Sequence, residues 1–233
     1  MISVVMPVYK ESSTLLHSTI EHLIRFKGVY EIIIVTTQQD PLAADINRLI
    51  LTRYADNPQI VPSDADHAGR ARQMNQGAKI ANSEILLFIH ADTRLPEAAD
   101  DMISASLKIA DWGRFDLKLD DQRLVYKILT WFINKRSGLT HICTGDQALF
   151  MTRNFFKQVG SFPEQELMED IEFSIRAKQT SLPAVIKKPV ITSARRWKQS
   201  GVIKTVILMW RLRALYWLGV PASKLAKLYR QVR

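Results

Sequence analysis

The stretch SEILLFIHADTRLP, residues 83–96, decides the fold. Ile85 to Ile89 form an unbroken apolar run, and His90, Ala91 and Asp92 follow at once. A strand wetted on one face alternates apolar and polar residues, whereas a strand covered on both faces does not. The run therefore reads as a strand over 84–90 in a parallel sheet, with Asp92 just past its carboxyl end. Pro96 suits the first position of a following helix.

The same pattern extends outward. Residues 2–6 (ISVVM) and 31–35 (EIIIV) read as strands, and 59–62 as a short one. Helical stretches fall between them at 12–26, 43–54 and 70–80. The first has Leu15, Leu16, Ile20, Leu23 and Ile24 on one side, and Ser12 or Ser13 as its cap. This alternation argues for an α/β sheet, whose ligands bind beyond the carboxyl ends of the strands. The second half is less regular, with strands expected at 112–119, 147–151 and 184–187 and helices at 122–135, 153–159 and 169–179. Two further helices, broken at Gly219-Val220-Pro221, are expected from 202 onward. With no repeat and no low-complexity linker, one domain over 1–200 carries a helical C-terminal segment over 201–233.

A chain of 233 residues with 47% apolar and 24% charged residues has the material for a real core. Its one cysteine, Cys143, excludes an internal disulfide and fits a reducing, cytoplasmic compartment. MISVVMPVYKESS lacks a basic leader region and reads as a first strand, not a signal peptide. The formal charge of +9 is unevenly placed: residues 1–172 hold 18 basic and 23 acidic residues, whereas 173–233 hold 14 basic residues and no acid. Such a block is either a solvated face or a surface for an anionic partner: a phosphorylated ligand, a membrane or a nucleic acid. The most apolar tail segment, 202–220, is interrupted by Lys204, Arg211 and Arg213. It reads as a helix buried on the core or another subunit, or lying on a membrane surface, rather than a span.

Five polar clusters are candidates for chemistry. Asp92 at a strand tip either caps the next helix or holds a hard divalent cation, Mn²⁺ or Mg²⁺. Gly145-Asp146-Gln147 is a turn between apolar stretches. Glu169-Asp170 at a helix start either complements the helix dipole or supplies a general base. Arg195-Arg196-Trp197 either belongs to the basic block or grips a diphosphate. In RARQMNQGA, positions 70, 73 and 77 share one helical face, which would suit a ligand over the helix start.

No single cluster is specific, but their order is. MPVYKE at 6–11, EIIIV, RARQMNQGA, LLFIHADT, GDQALFM, ELMEDIEFS and RRW succeed one another from residue 2 to about 200. The series resembles the family 2 glycosyltransferases of the GT-A fold, and is similar to the small bacterial branch with an HADT motif. That resemblance implies a Rossmann-like, mostly parallel central sheet flanked by helices. It implies a nucleotide-sugar donor, an acceptor hydroxyl and inversion at the anomeric carbon. Pro7, Tyr9, Glu11, Arg70 and Asn75 would lie at the donor, with Arg196 and Trp197 near its diphosphate. Asp92 would ligate Mn²⁺ or Mg²⁺. Asp170 would be the base beside Glu169, and Gly145, Asp146 and Gln147 would line the acceptor side.

Three positions depart from the family pattern. Thr36 stands where a base-contacting Asp is common, and Asp40 follows too late to replace it. His90, at the expected end of the strand, either joins Asp92 on the metal or is a buried, hydrogen-bonded histidine. Lys10 stands where Asn is common. The basic tail reads either as a peripheral contact with the inner face of a membrane near a lipid-linked acceptor, or as helices packed on the core or on a second subunit in a homodimer; no nucleic-acid partner is expected. A nucleotidyltransferase on a related sheet is the nearest alternative, but PVYKESS has no glycine for a phosphate loop. A non-catalytic protein binding anions or a membrane surface would leave the acids at 92, 146, 169 and 170 without a task.

Overall fold

The computed structural model describes residues 1–231. Seven strands form one sheet: β1 (Ile2–Pro7), β2 (Val29–Thr37), β3 (Ile60–Ala65), β4 (Ile85–Phe88), β5 (Trp112–Leu119), β6 (Leu149–Thr152) and β7 (Ala184–Thr192). Their spatial order is β3-β2-β1-β4-β6-β5-β7. The first four strands run parallel. β6 is antiparallel to both its neighbours, and β5 and β7 are parallel again. The expected α/β architecture, mostly parallel and flanked by helices, is what the chain adopts.

The unbroken apolar runs have the anticipated cause. Val4, Met6, Ile32, Ile34, Leu87 and Ile89 enter one core cluster with Leu16 and Ile20 of α1 (Ser13–Leu23), Ile46 of α2 (Ala43–Arg53) and Ile103 of α4 (Ala99–Ser106). Their neighbours Val5, Ile33, Val35, Leu86 and Phe88 enter the other. There they meet Met74 of α3 (Arg70–Ile80), Phe155 of α6 (Arg153–Val159) and Phe173 of α7 (Glu169–Thr180). Both faces of the sheet are covered, so neither set of alternate side chains can be polar.

Several boundaries differ from the sequence reading. β4 stops at Phe88, so His90 lies beyond the strand and not at its last position. The helix expected at Pro96 begins at Ala99, after Ala98 turns left-handed at φ 58°. The strand expected over 184–187 runs on to Thr192, and a short helix, α8 (Arg195–Ser200), follows it. The helix expected over 122–135 becomes α5 (Leu124–Thr140), which leaves Leu124, Ile128, Trp131 and Phe132 largely exposed.

The C-terminal segment forms α9 (Val202–Trp217) and α10 (Ala222–Gln231). Leu212 and Leu225 pack with Ile142, Met168 and Ile171, which ties both helices to the start of α7. Trp210 and Leu218 stay 67% and 79% exposed, so the outer side of α9 is not part of that packing. The last two residues of the segment, Val232 and Arg233, lie outside the described residues.

On the Arg-Gln-Gly face of α3, Arg70 at the helix start lines a cleft, whereas Gln73 and Gly77 are turned to the sheet. Gln73 is buried and donates from Nε2 to the carbonyls of Val8 (2.8 Å) and Val35 (2.7 Å). This joins the tips of β1 and β2 where the chain leaves the sheet. Gly77 is there because α3 presses on Val5: a Cβ would lie 2.4 Å from Val5 Cγ1 and 3.1 Å from Val35 Cγ2. Gly77→Ala should cost about 1–3 kcal/mol through overpacking. A fall in the urea midpoint checks this, and an unchanged midpoint would mean that α3 is free to retreat.

Candidate active site

A narrow cleft opens at the carboxyl ends of β1 and β4. Pro7, Arg70, Phe88, His90, Gly145, Glu169 and Asp170 line it. Its walls come from the tip of β1, the start of α3, the loop after β4, a 3-10 turn at Gly145–Gln147 and the first turn of α7.

The first turn of α7 carries the acids. Met168, just before it, is left-handed at φ 66° and buried among Ile142, Ile171 and Leu212. That packing holds a conformation which L-residues avoid and aims Glu169 and Asp170 into the cleft. The Asp170 Oδ2 atom accepts from Gly145 N–H at 2.8 Å, and Oδ1 accepts from Ile171 N–H at 2.8 Å. Glu169 takes the Arg70 guanidinium at 3.2 Å across the cleft, with only 5% of its side chain exposed. Burial pushes the Glu169 carboxyl up, Arg70 opposes this, and the net direction is upward. Burial would lower Arg70, but Glu169 and Asp170 outweigh it and hold the guanidinium charged.

A side chain at Gly145 would crowd the cleft. A Cβ there would lie 2.8 Å from His90 Nε2 and 3.1 Å from Arg70 Nη1. Gln147 is fully buried, its Oε1 accepting from Thr144 N–H at 3.1 Å. It closes the turn, and its Nε2 has no hydrogen-bond partner among the described residues. Asp146 faces His90, Nε2 to Oδ1 being 3.7 Å. Burial and the Arg70 charge push His90 down to about 4, so at neutral pH its ring is uncharged. Burial would raise Asp146, but His90, Arg196, Arg70 and Arg213 together hold it low.

Asp92 lies at the other end. Its Oδ1 accepts from Thr192 Oγ1 at 3.2 Å. Burial pushes its carboxyl up, and the charges of Asp146 and Glu11 add to this. Glu11 is paired to Arg195, Nη2 reaching its carboxylate oxygens at 2.8 and 3.1 Å. An acid repelled by two others and tied through one oxygen suits a hard cation shared with a ligand's oxygens. Among the described residues no three His, Cys, Asp or Glu side chains converge as a complete cage.

Other expected residues take different places. Asn75 clasps the backbone of Phe162, donating to its carbonyl at 2.8 Å and accepting from its N–H at 3.1 Å. Trp197 packs beside Leu119, Tyr126 and Ala194, while the exposed Arg196 next to it projects its charge toward His90 and Asp146. Tyr9 is exposed with Lys10 Nζ over its ring at 5.3 Å. Lys10 is left-handed at φ 56°, and its N–H donates to buried Asp40 at 2.9 Å. Thr36 lies inside β2 and donates to Asp64 of β3, so a carboxylate does stand beside it.

Residues 3–103 match the family model for Glycosyl transferase family 2. No curated relative matches the chain by sequence. Among solved structures, S. aureus TarS 1-349 in complex with UDP-GlcNAc superposes with a TM-score of 0.63 at 17% identity, over 82% of this chain and 58% of that one. The mannosyltransferase PcManGT from Pyrobaculum calidifontis, in complex with GDP-Man and Mn²⁺, gives 0.60 at 18% identity, over 82% and 56%. This chain thus spans under two thirds of either neighbour's length. Its fold is GT-A, as in these neighbours, and its residues 3–103 are similar to the family 2 glycosyltransferases.

Arg70→Met should leave Glu169 buried without its cation. Arg70 keeps 33% of its side chain in solvent, so the expected loss is about 2–3 kcal/mol, less than for a fully buried pair. Pairing it with Glu169→Gln should recover most of that loss in urea unfolding; no recovery would show that the pair is not the source.

Proposed function

We propose that the protein transfers a sugar from a nucleotide-sugar donor to an acceptor hydroxyl, with inversion. The observation that carries this reading is the Asp170 carboxylate, held on the cleft wall by Gly145 N–H in a chain whose residues 3–103 match the Glycosyl transferase family 2 model. Inversion by one in-line displacement needs a base for the acceptor and no protein nucleophile. Asp170 takes the proton from the attacking hydroxyl. Glu169, fastened to Arg70, keeps the base's helix end in register with α3. Arg195 and Arg196 place positive charge near Glu11, Asp146 and His90, where a departing diphosphate gathers negative charge.

Asp92 would hold Mn²⁺ or Mg²⁺ together with donor oxygens, and the raised proton affinity of its carboxyl supports that role. The cation would supply Lewis-acid stabilisation of the leaving phosphates. Asp64, held by Thr36, provides an acid near the expected base position. The neighbours solved with UDP-GlcNAc and with GDP-Man and Mn²⁺ support a nucleotide-sugar donor and a divalent metal.

The acceptor side reads as facing a membrane. No helix among the described residues is long and apolar enough to cross one. Instead α9 exposes Ile203, Ile207, Trp210 and Trp217 among exposed Lys204 and Arg211, and α5 exposes Trp131 and Phe132 beside Lys127 and Lys135. Aromatic side chains interleaved with cations suit the interface of an anionic bilayer. The reading is of an enzyme at the inner, cytoplasmic face of the membrane, acting on a lipid-linked acceptor.

Hydrolysis of several nucleotide sugars with Mn²⁺ or Mg²⁺ tests the activity, and release of nucleoside diphosphate from none of them overturns it. Asp170→Asn should lower turnover about 10²–10⁴-fold while nucleoside diphosphate still binds; unchanged turnover would remove Asp170 from the role. Asp92→Ala should abolish the gain in donor affinity that Mn²⁺ confers, read by calorimetry with and without the metal. Vesicles containing phosphatidylglycerol should sediment the protein at low salt and release much of it at high salt. Trp131→Ser combined with Trp210→Ser should weaken that binding, and absence of any sedimentation would exclude the membrane reading.

A further inference from the structure

Residues 160–168, which lead from α6 into α7, have no regular structure of their own. Ser161 and Met168 are both left-handed, at φ 62° and 66°. Backbone in such sparsely populated regions persists only where its surroundings over-determine it. Side chains from other elements supply that hold at the start of the segment. Asn75 clasps the backbone of Phe162, Arg72 pairs with Glu164 at 3.1 Å, and Arg176 donates to the Ser161 carbonyl at 2.7 Å.

The end of the segment is held by α9. Tyr216 is half-buried and packs against the apolar cluster of Met168, Ile171 and Leu212. Its hydroxyl donates to Glu172 Oε2 at 2.6 Å and accepts from Gln165 Nε2 at 3.4 Å. Burial, followed by the bond to Glu172, pushes the hydroxyl's pKa up, so it keeps its proton for that bond. A hydrogen bond to a carboxylate is short and about twice as strong as a neutral one. The ion pair from Arg230 to Glu166, by contrast, joins two exposed side chains and contributes little.

Glu172 is where the grip of α9 reaches the cleft wall. Its N–H donates to the Met168 carbonyl at 3.0 Å, which closes the first turn of α7. Glu169 and Asp170 lie inside the turn so closed. Gln165 stands on the chain before that turn, and Glu172 ends it. One hydroxyl of α9 thus fastens both sides of the turn whose Asp170 accepts from Gly145 N–H. Neither Tyr216 nor Glu172 lines the cleft itself. We propose that Tyr216 is a positioning residue, acting through Glu172 to hold Asp170 at the cleft wall, so that the C-terminal helices help to set the geometry of the base. The role of Asp170 as a base rests on the glycosyltransferase reading; the tie between Tyr216 and Glu172 does not.

Nucleoside diphosphate release by the full chain, from whichever nucleotide sugar it hydrolyses, tests the proposal. Tyr216→Phe should lower kcat about tenfold, within the roughly 10²-fold that a misplacement of about 1 Å can cost. Donor KM and the affinity for nucleoside diphosphate should stay unchanged. Glu172→Leu should act alike, and the double variant should be no slower than either, because both remove the same bond. Glu172→Gln keeps an acceptor oxygen for Tyr216 and should retain most of the turnover. Lys227→Gln, an exposed change on α10, should alter nothing. Hydrogen exchange supplies a readout independent of the reaction. Tyr216→Phe should speed exchange at the Ile171 and Glu172 amides and leave those of β1 and β4 as they were, whereas global loosening would speed all of them. Unchanged turnover in Tyr216→Phe, additive losses in the double variant, or a loss of turnover matched by lost nucleoside diphosphate affinity overturns the proposal. Unchanged exchange at the two α7 amides overturns the tie itself. Absence of nucleoside diphosphate release from every nucleotide sugar by the unaltered chain would instead sink the glycosyltransferase reading, with the exchange measurement still standing.

Discussion

Everything at the cleft depends on how the first turn of α7 is held. Three contacts hold it: the Gly145 N–H on Asp170, the Arg70 guanidinium on Glu169, and the apolar seat of left-handed Met168. Each comes from a different part of the chain. Together they bring a turn from the middle of the sequence, a helix start from the first half and a helix start from the second half to one place. A helix N-terminus favours negative charge, but that alone would leave these carboxylates pointing at solvent. The backbone donor from the 3-10 turn gives Asp170 a direction, and the absence of a side chain at Gly145 lets His90 and Arg70 close around it.

Charges of both signs meet about that turn. Asp146 and Glu11 bear on Asp92, with Arg195 on Glu11. His90, Arg196, Arg70 and Arg213 bear in turn on Asp146 and hold it low. The basic excess of the C-terminal quarter is felt by these acids as well: the charges of Arg196 and Arg213 help to hold Asp146 low.

Much of the fold was legible because covered strands leave a plain mark. ISVVM, EIIIV and ILLFI have no polar alternation, and burial on both faces is the only ordinary reason. The acids at 92, 146, 169 and 170 were legible as sites because each interrupts or follows apolar sequence. The roles of their neighbours were less so. Gln73 and Gly77 share a helical face with Arg70, which suggested a ligand, yet only Arg70 reaches the cleft, and Gln73 turns to the sheet because Val8 and Val35 have carbonyls to satisfy. Asn75 and Trp197 are spent on holding a loop and filling a small apolar cluster.

The sequence by itself determined that the chain is an α/β protein with parallel strands, because periodicity and burial are local matters of which side chain follows which. It also determined that acids stand at strand and helix ends, and where the positive charge accumulates. Only the tertiary structure decided that β6 enters the sheet reversed, that β4 stops before His90, and which polar residues face the cleft. Those outcomes depend on strand partners and helix docking between residues tens to more than a hundred positions apart, such as Thr192 with Asp92. Hydrogen bonds and ion pairs act at about 3 Å through space, and no local pattern records which distant partner will arrive.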